Sequence, residues 1–193
     1  MKSAGILLAA GYSRRLGQDK SFVKYKGFNL IDLAIKNFLL SNLNKHIVIA
    51  GLNNYDYIHT KYPKINVILN LNNTGQNSSI KLGIENIKDY DFAMFMAIDQ
   101  PFLKLSTINK VISNYKKNHI VVSSYNGNNG LPTIFDKIYF NELLQIVGDK
   151  GGKDVITKYL DKVIFVNGLD EIENFDIDTQ EDLEILRRNC EIK

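Results

Sequence analysis

A glycine-bearing loop with basic residues directly follows the first hydrophobic stretch of the chain. Its sequence is Leu8-Ala9-Ala10-Gly11-Tyr12-Ser13-Arg14-Arg15-Leu16-Gly17-Gln18-Asp19-Lys20. The small residues at 9–11 let a ligand approach the backbone closely, and successive N–H groups in such a turn can bind an anion. Arg15 offers forked contacts and Lys20 a point charge, which together could neutralise a triphosphate. The loop is neither a Walker motif nor a dinucleotide fingerprint, because no Gly-Lys-Ser/Thr follows and its two glycines are six residues apart.

Aspartates in two later segments could hold a divalent cation beside that loop. Asp99 follows the hydrophobic run 92–98, and Asp176 and Asp178 lie near the C-terminus. If residues 175–178 are extended, Asp176 and Asp178 point to the same side, and either could supply a second carboxylate. Magnesium prefers one or two carboxylates with phosphate oxygens and waters. The sequence leaves open which of the two aspartates partners Asp99.

These segments together resemble the motifs of the MobA-like nucleotidyltransferases. The loop is similar to the signature Leu-Ala-Ala-Gly-x-Ser-x-Arg-Met-Gly-x-x-Lys, most closely that of molybdenum cofactor cytidylyltransferases, with Leu16 in place of Met. Residues 98–101 resemble Gly-Asp-Gln-Pro, with Ile98 in place of glycine, and residues 176–183 resemble Asp-Ile-Asp-Thr-Pro-Glu-Asp-Leu, with Gln180 in place of proline. The matches follow the family's order from residue 8 to residue 183.

The resemblance implies a magnesium-dependent transfer of a nucleoside monophosphate to a phosphate-bearing acceptor, molybdopterin or the molybdenum cofactor, with release of pyrophosphate. Ala10 stands where the guanylyltransferase branch typically carries a second glycine, which favours CTP over GTP. An acceptor phosphate is already anionic near neutral pH, so the reaction needs no strong general base. Catalysis would then rest on positioning and charge stabilisation.

The resemblance also assigns expected roles along the chain. Arg15, Lys20 and Asp99 are the expected catalytic residues, and Asp99 with Asp176 or Asp178 the expected metal ligands. The expected nucleotide-binding residues are Leu8, Ala9, Ala10, Gly11, Ser13, Arg15, Lys20, Asn73 and Ser79. Segments 130–132 and 148–153 resemble Gly-x-Pro and Gly-Asp-x-Gly-Ala-Arg on the acceptor side of the family. The expected acceptor-binding residues are Gln100 and, from these two segments, Gly130, Pro132, Gly151 and Lys153. Lys153 replaces the arginine and so lacks its bidentate fork.

The hydrophobic pattern predicts the elements that position these residues. Strands are predicted at 3–9, 46–50, 65–69, 91–98, 120–123, 132–135 and 161–166; helices at 30–43, 78–87, 105–115 and 179–188; and glycine loops at 126–130 and 149–152. Thr179 is expected to cap the last helix together with Asp182. The alternation predicts a single domain over residues 1–193, a three-layer α/β/α sandwich with a mainly parallel, Rossmann-like sheet. Ligands then bind beyond the carboxyl ends of the strands.

Composition excludes several other classes of protein. The 193 residues carry a net charge of +3 without a long basic block, which argues against a nucleic-acid surface. The apolar N-terminus is too short to span a membrane. The single cysteine, Cys190, cannot form an internal disulfide, so the cytoplasm is the predicted compartment.

Two alternative functions stay open. One is a sugar-phosphate or alditol-phosphate nucleotidyltransferase with the same loop. The other is a nucleotide-binding regulator or cofactor-delivery protein without turnover, which the replacements Ile98, Lys153 and Gln180 suggest. Delivery of the product to a molybdoenzyme or its chaperone is the expected protein partnership.

Overall fold

A mixed sheet of seven strands forms the middle layer of the protein. The computed structural model describes residues 1–11, 13, 15–147 and 151–191, of which residues 190 and 191 are described by their backbone alone. The strands are β1 (Ser3–Ala9), β2 (Lys24–Tyr25), β3 (Phe28–Asn29), β4 (Lys45–Ala50), β5 (Asn66–Leu69), β6 (Phe92–Ala97), β7 (Ile120–Tyr125), β8 (Asn128–Asp136) and β9 (Val163–Val166). The large sheet has the order β5-β4-β1-β6-β8-β7-β9, while β2 and β3 form a separate hairpin. Only β8 runs antiparallel to its neighbours there, which confirms a mainly parallel sheet.

Helices cover both faces of this sheet. They are α1 (Leu30–Leu40), α2 (Tyr55–Lys61), α3 (Gln76–Glu85), α4 (Leu105–Ser113), α5 (Phe140–Gln145), α6 (Lys153–Lys158) and α7 (Gln180–Glu191). Leu7 and Ala9 of β1 face the core beneath α1, α2 and α4, whereas Ile6 and Leu8 face the core beneath α3, α5 and α6. Because both faces are buried, β1 is a continuous hydrophobic run rather than an alternating one. The predicted three-layer α/β/α fold is confirmed.

The order of the strands reverses between β1 and β6. The chain passes from β1 through β4 to β5 on one side and then returns to β6 on the other, where Leu8 and Ala97 are register partners. The carboxyl ends of β1, β4, β5 and β6 share one edge, and the first residues of antiparallel β8 reach the same edge. Such a reversal opens the crevice in which α/β proteins bind ligands.

Close packing places the start of α3 at this edge. Gly83 of α3 lies directly on β1, where an added Cβ would stand 2.8 Å from side-chain atoms of Ile6. The missing side chain lets the helix approach the strand, and it fixes the N-terminal turn of α3 over the end of β1.

The last helix begins with the expected capping pair. The backbone N–H of Thr179 donates to Asp182 Oδ2 at 2.8 Å, and the Thr179 hydroxyl donates to the same oxygen at 2.9 Å. The N–H of Asp182 donates in return to Thr179 Oγ1 at 3.3 Å. This reciprocal arrangement satisfies orphan donors of the first turn and holds residues 176–179 at the start of α7.

Several elements differ from the sequence prediction. The expected loop 126–130 is a tight hairpin turn, because Asn126 and Gly127 both have positive φ (51° and 86°) and β8 begins at Asn128. The helix predicted over 30–43 ends at Leu40, where the Ser41 hydroxyl donates to the Phe38 carbonyl. The small hairpin β2–β3 and the short helices α2 and α5 had no clear periodic signal.

Within the part of the chain that the structure describes, no helix has both the length and the apolar character needed to cross a membrane.

Candidate functional site

The loop after β1 is closed by its own side chains. The Ser13 hydroxyl accepts the backbone N–H of Lys20 at 3.1 Å. Asp19 then caps a 3₁₀ turn at Lys20–Phe22 by accepting the N–H of Ser21 at 2.8 Å. Ser13 has a φ of 48°, in the left-handed region where the chain can reverse. These contacts turn the loop so that the Lys20 side chain is directed back into the protein.

Two asparagines from neighbouring strand ends hold the start of this loop. The buried side chain of Asn54 donates to the Ala9 carbonyl and to the Ser21 hydroxyl, both at 2.8 Å. Asn73 donates to the Ala10 carbonyl. Asn73 was expected to contact nucleotide, and its amide in fact also braces the loop. Asn54 carried no recognisable signal in the sequence, because nothing local shows that residues 9, 21 and 54 meet.

Lys20 lies between two carboxylates from distant parts of the chain. Its ammonium donates to Asp99 Oδ2 and to Asp178 Oδ1, each at 2.9 Å. Arg15 donates to the other oxygen of Asp178 at 2.8 Å. The structure therefore brings together the predicted cations and acids, including one of the two candidate C-terminal aspartates.

The pKa directions of these groups follow from the pairing. Burial alone would lower the pKa of Lys20, but Asp99 and Asp178 outweigh it, so this pKa is raised. Burial would raise the pKa of Asp178, but the hydrogen bond and charge of Lys20, helped by Arg15, bring it below its ordinary value. Both groups are therefore charged near neutral pH.

A backbone contact joins the two acidic segments. The N–H of Ile177 donates to the Asp99 carbonyl at 3.0 Å. The Ile177 side chain is fully buried in a small core under the loop, and Asp176 and Asp178 on either side of it both line the cleft. The expected alternation is thus present, although the two aspartates face different compartments.

The cleft consists of two adjoining cavities. The first has a volume of about 590 Å³ and is lined by Leu8, Ala10, Gly11, Arg15, Asn73, Thr74, Gly75, Gln76, Ser79, Ala97, Asp99 and Asp178. The second has a volume of about 290 Å³ and a mixed lining. Its polar lining residues are Gln76, Asp99, Gln100, Asn129, Thr133, Lys153, Asn174 and Asp176. They are called the nucleotide cavity and the acceptor cavity here, after the predicted residues that line each of them. Asp99 belongs to both cavities and lies at their junction.

The predicted nucleotide residues separate into lining and supporting groups. Those that line the nucleotide cavity are Leu8, Ala10, Gly11, Arg15, Asn73 and Ser79. Ala9, Ser13 and Lys20 are not among its described lining residues. Ala9 and Ser13 hold the loop, and Lys20 reaches the cavity through the two aspartates that it contacts.

The predicted acceptor residues separate in the same way. Gln100, Gly130 and Lys153 line the acceptor cavity. Pro132 is buried behind its wall, where its carbonyl accepts the Ser123 hydroxyl at 2.6 Å, and the N–H of Gly151 donates to Asn77 Oδ1 at 3.1 Å. Residues 148–150 of the second glycine loop lie outside the described residues.

Asp176 is the acid of the acceptor cavity. Its side chain is exposed to the cleft, where reduced solvation beside the cleft wall, followed by the nearby charge of Asp99, raises its pKa above the ordinary value. Because Asp178 rather than Asp176 shares Lys20 with Asp99, the two candidate aspartates have different surroundings.

Among the lining residues that were not predicted are three with side-chain amides. Gln76 lines both cavities, and Asn129 and Asn174 line the acceptor cavity. The Asn126-Gly127 turn is a hairpin signal that could have placed Asn129 on a strand at this edge. Asn174 carries no local signal, because its position depends on the path of the whole C-terminal segment.

The donor set at the junction fits a divalent cation. In the described part of the chain no cluster of three or more His, Cys, Asp or Glu side chains forms a metal cage. Asp99 and Asp178 nevertheless converge on one ammonium, which stands where a cation would be held. Two carboxylates with free room in the adjoining cavity suit Mg²⁺ or Mn²⁺, which complete their coordination with phosphate oxygens and waters.

The cleft thus has two compartments, with the loop after β1 along one of them and Asp99 at their junction. A family model described as the MobA-like NTP transferase domain matches residues 5–163. The chain belongs to this family of nucleotidyltransferases.

Two curated proteins and one solved structure illustrate what the chain is similar to. The purine catabolism protein PucB of Bacillus subtilis is 28% identical over 196 residues, with 95% of each chain covered. A probable molybdenum cofactor guanylyltransferase of Natranaerobius thermophilus is 28% identical over 116 residues, which cover 59% of this chain and 55% of that protein. The crystal structure of Rv0371c from Mycobacterium tuberculosis in complex with manganese has a TM-score of 0.80 at 21% identity, with both chains fully covered.

Proposed function

We propose that this protein transfers a nucleoside monophosphate, preferably from CTP, to the phosphate of molybdopterin or the molybdenum cofactor and releases pyrophosphate. The observation that carries the proposal is the position of Asp99. It lines both cavities and shares the Lys20 ammonium with Asp178. One carboxylate at the junction of two cavities is suited to a reaction in which two anionic substrates meet.

The nucleotide cavity would take the triphosphate. Gly11 and its neighbours offer backbone there, and Arg15 with its exposed guanidinium can turn from Asp178 to phosphate oxygens. Asp99 and Asp178 would hold Mg²⁺, which supplies charge neutralisation to the triphosphate when bound. Asp176 lines the acceptor cavity and Asp178 the nucleotide cavity, which supports Asp178 as the second ligand.

The acceptor cavity would hold the attacking phosphate in line with the α-phosphorus. An acceptor phosphate oxygen forms the new bond to that phosphorus, and the bond to the β-phosphate oxygen breaks, so that pyrophosphate leaves with the electron pair. The residues of this chain position both reactants and stabilise charge, with Lys20 and Arg15 available to the departing phosphates. Lys153 at the rim of the acceptor cavity provides a cation for the acceptor.

The preference for CTP rests on Ala10, whose methyl group stands where the guanylyltransferase branch of the family typically has glycine. GTP is the second candidate, because a relative is named as a probable guanylyltransferase. A pyrophosphate-release assay with CTP, GTP, ATP and UTP, each tested with molybdopterin, sugar phosphates and alditol phosphates, decides between them. Nucleotide binding in a thermal-shift panel without pyrophosphate release under any acceptor would instead indicate a regulator without turnover.

Three aspartate-to-asparagine variants test the assignment of Asp99 and Asp178 as metal ligands. Asp99→Asn and Asp178→Asn are each expected to lower magnesium-dependent turnover by roughly 100-fold or more, because each removes a charge that the transition state needs. Asp176→Asn is expected to retain metal dependence and to change mainly the KM of the acceptor. Full turnover by Asp99→Asn, or a loss of Mn²⁺ binding confined to Asp176→Asn, would contradict the assignment.

A further inference from the structure

Lys104 and Glu173 join the two acidic segments at a point outside both cavities. Glu173 lies in a 3₁₀ turn at Glu171–Asn174 and is only 2% exposed. One of its carboxylate oxygens accepts the backbone N–H of Lys104 at 2.9 Å, and the other is 3.4 Å from the Lys104 ammonium. Neither residue is among the described residues that line the two cavities.

Both residues of this contact lie on chain segments that carry residues of the cleft. Lys104 ends the turn that follows Asp99 and is the N-cap of α4. Its carbonyl accepts the N–H groups of Thr107 and Ile108 in the first turn of that helix. On the other side, Glu173 immediately precedes Asn174, Asp176 and Asp178. The contact therefore ties the segment that carries Asp178 to the segment that carries Asp99.

Burial of the Glu173 carboxylate costs solvation free energy, so this contact is not the most stable way to join the two segments. An apolar pair of similar volume often gives equal or greater stability, whereas a hydrogen-bonded charge accepts only one geometry. The Lys104 N–H is partly buried in this contact, and a donor that loses water without gaining a partner is destabilising. Glu173 supplies the acceptor, and its chain length fixes the distance between the two segments.

We propose that Glu173 is a positioning residue. Through the Lys104 backbone it holds Asp178 within reach of the Lys20 ammonium, which Asp178 shares with Asp99. The inference rests on the proposed function for its consequence in catalysis, but the positioning itself is a property of the metal-free protein. Its direct signature is the Lys20 ammonium, because that group contacts both carboxylates only when the two segments are in register.

The test observes that ammonium by NMR in ¹⁵N-lysine-labelled, metal-free protein at low temperature and pH near 6. Protons held by two carboxylates exchange slowly, so Lys20 is expected to give a protected ¹⁵Nζ signal, which Lys20→Met assigns by its disappearance. Glu173→Leu, which leaves the Lys104 N–H without an acceptor, is expected to abolish that signal. Glu173→Asp keeps the charge but withdraws it by about 1.5 Å, and it is expected to do the same should the leucine variant not fold.

Asp170→Asn is the matched control. Asp170 accepts from the same lysine at 2.9 Å, but on the exposed side of the contact, and asparagine retains the oxygen that caps the 3₁₀ turn. This variant is expected to keep the protected signal. A signal that persists in both folded Glu173 variants, or one that is lost equally in Asp170→Asn, would overturn the positioning role whether or not the protein transfers nucleotides.

The catalytic consequence is measured separately. A displacement of about 1 Å can cost on the order of 100-fold in rate, so we expect Glu173→Asp to lose tenfold or more in kcat while its KM for nucleotide changes less than about threefold. If the wild-type protein shows no turnover, the proposed function fails and the NMR result alone decides the positioning role. If turnover is present and Glu173→Asp retains the wild-type kcat, the positioning role is overturned and the proposed function stands.

Discussion

Replacement of Lys20 by methionine is expected to destabilise the metal-free protein and to tighten its binding of Mn²⁺. The ammonium of Lys20 donates to Asp99 and Asp178 at 2.9 Å each, and the lysine side chain is only 9% exposed. Methionine retains most of the buried stem and removes the charge. The two carboxylates are then left facing each other without a cation between them.

The size of the destabilisation follows from how open the carboxylates are. Breaking a fully buried ion pair costs about 3–5 kcal/mol. Because the side chains of Asp99 and Asp178 are 22% and 39% exposed, water screens part of the loss, and about 2 kcal/mol is expected. For a chain of this length that lowers the melting temperature by about 4–8 °C.

The pH of the measurement matters because the folded pKa of Lys20 is raised above its ordinary value of 10.5. A raised pKa means that the contribution to stability is fully present below the unfolded pKa and is lost as the pH rises through the folded one. Calorimetry near pH 7.5 therefore reports the whole effect.

Metal binding should change in the opposite direction. In the wild-type protein a divalent ion must displace the ammonium, whereas in Lys20→Met only Arg15, on the outer oxygen of Asp178, still neutralises the two carboxylates. A coupling of about 2 kcal/mol corresponds to roughly 30-fold tighter Mn²⁺ binding, and saturating Mn²⁺ should restore the melting temperature by mass action. Titration followed by electron paramagnetic resonance gives the affinity, while turnover should fall because the lysine is no longer available to phosphate.

Lys61→Met is the control for this prediction. Its ammonium pairs with Asp32 at 2.9 Å outside both cavities, so its loss should change stability but not the affinity for Mn²⁺. Mn²⁺ affinity that is unchanged or weaker in Lys20→Met would show that the ammonium and the ion do not compete for one position, and it would refute the reasoning.

Two further predictions concern the acceptor cavity and the periphery. In Gly130→Ala the new Cβ would stand 2.0 Å from the Asn174 side-chain oxygen and displace that amide. The displacement should raise the acceptor KM about three- to tenfold, and the nucleotide KM is the internal control. An unchanged acceptor KM would show that Asn174 does not bind the acceptor. Burial would raise the pKa of Asp32, but hydrogen bonds from Lys61, Tyr62 and Tyr57 outweigh it and lower this pKa. Asp32→Asn should therefore lower the free energy of unfolding by about 1–2 kcal/mol at pH 7. In urea titrations this difference between wild type and variant should shrink below about pH 4, because wild-type Asp32 becomes protonated there. A difference in unfolding free energy that is constant with pH would contradict the ionised pairing.

The sequence predicted those parts of the protein that depend on local pattern. Residues 3–9 indicate a strand buried on both faces because an uninterrupted apolar run has no other stable place in a soluble α/β protein. Thr179 and Asp182 predict a helix start because their side chains can satisfy the first N–H groups without help from elsewhere. The loop at residues 8–20 was recognisable for the same reason, since its small residues and its cations lie within one continuous segment.

Local sequence pattern did not predict elements that are very short or contacts between residues that are distant in the chain. Helix α2 has only two turns, so no periodicity could emerge from it. The hairpin turn at Asn126-Gly127 had a recognisable signal, but the glycine and asparagine content suggested an open loop. Loop bracing by Asn54 and the place of Asn174 required knowledge of which distant backbone groups lie nearby.

The sequence by itself determined which chemical groups are present and which strand ends carry them: a cationic loop after β1, a carboxylate after β6 and two more before α7. Only the tertiary structure decided that Asp178 shares a cation with Asp99 while Asp176 faces the second cavity. The reason is that alternation along an extended segment fixes the side to which a residue points, whereas its neighbours across the cleft depend on how segments 99–104 and 170–178 pack together. That packing comes from contacts between residues about 70 or more positions apart, and no local pattern encodes it.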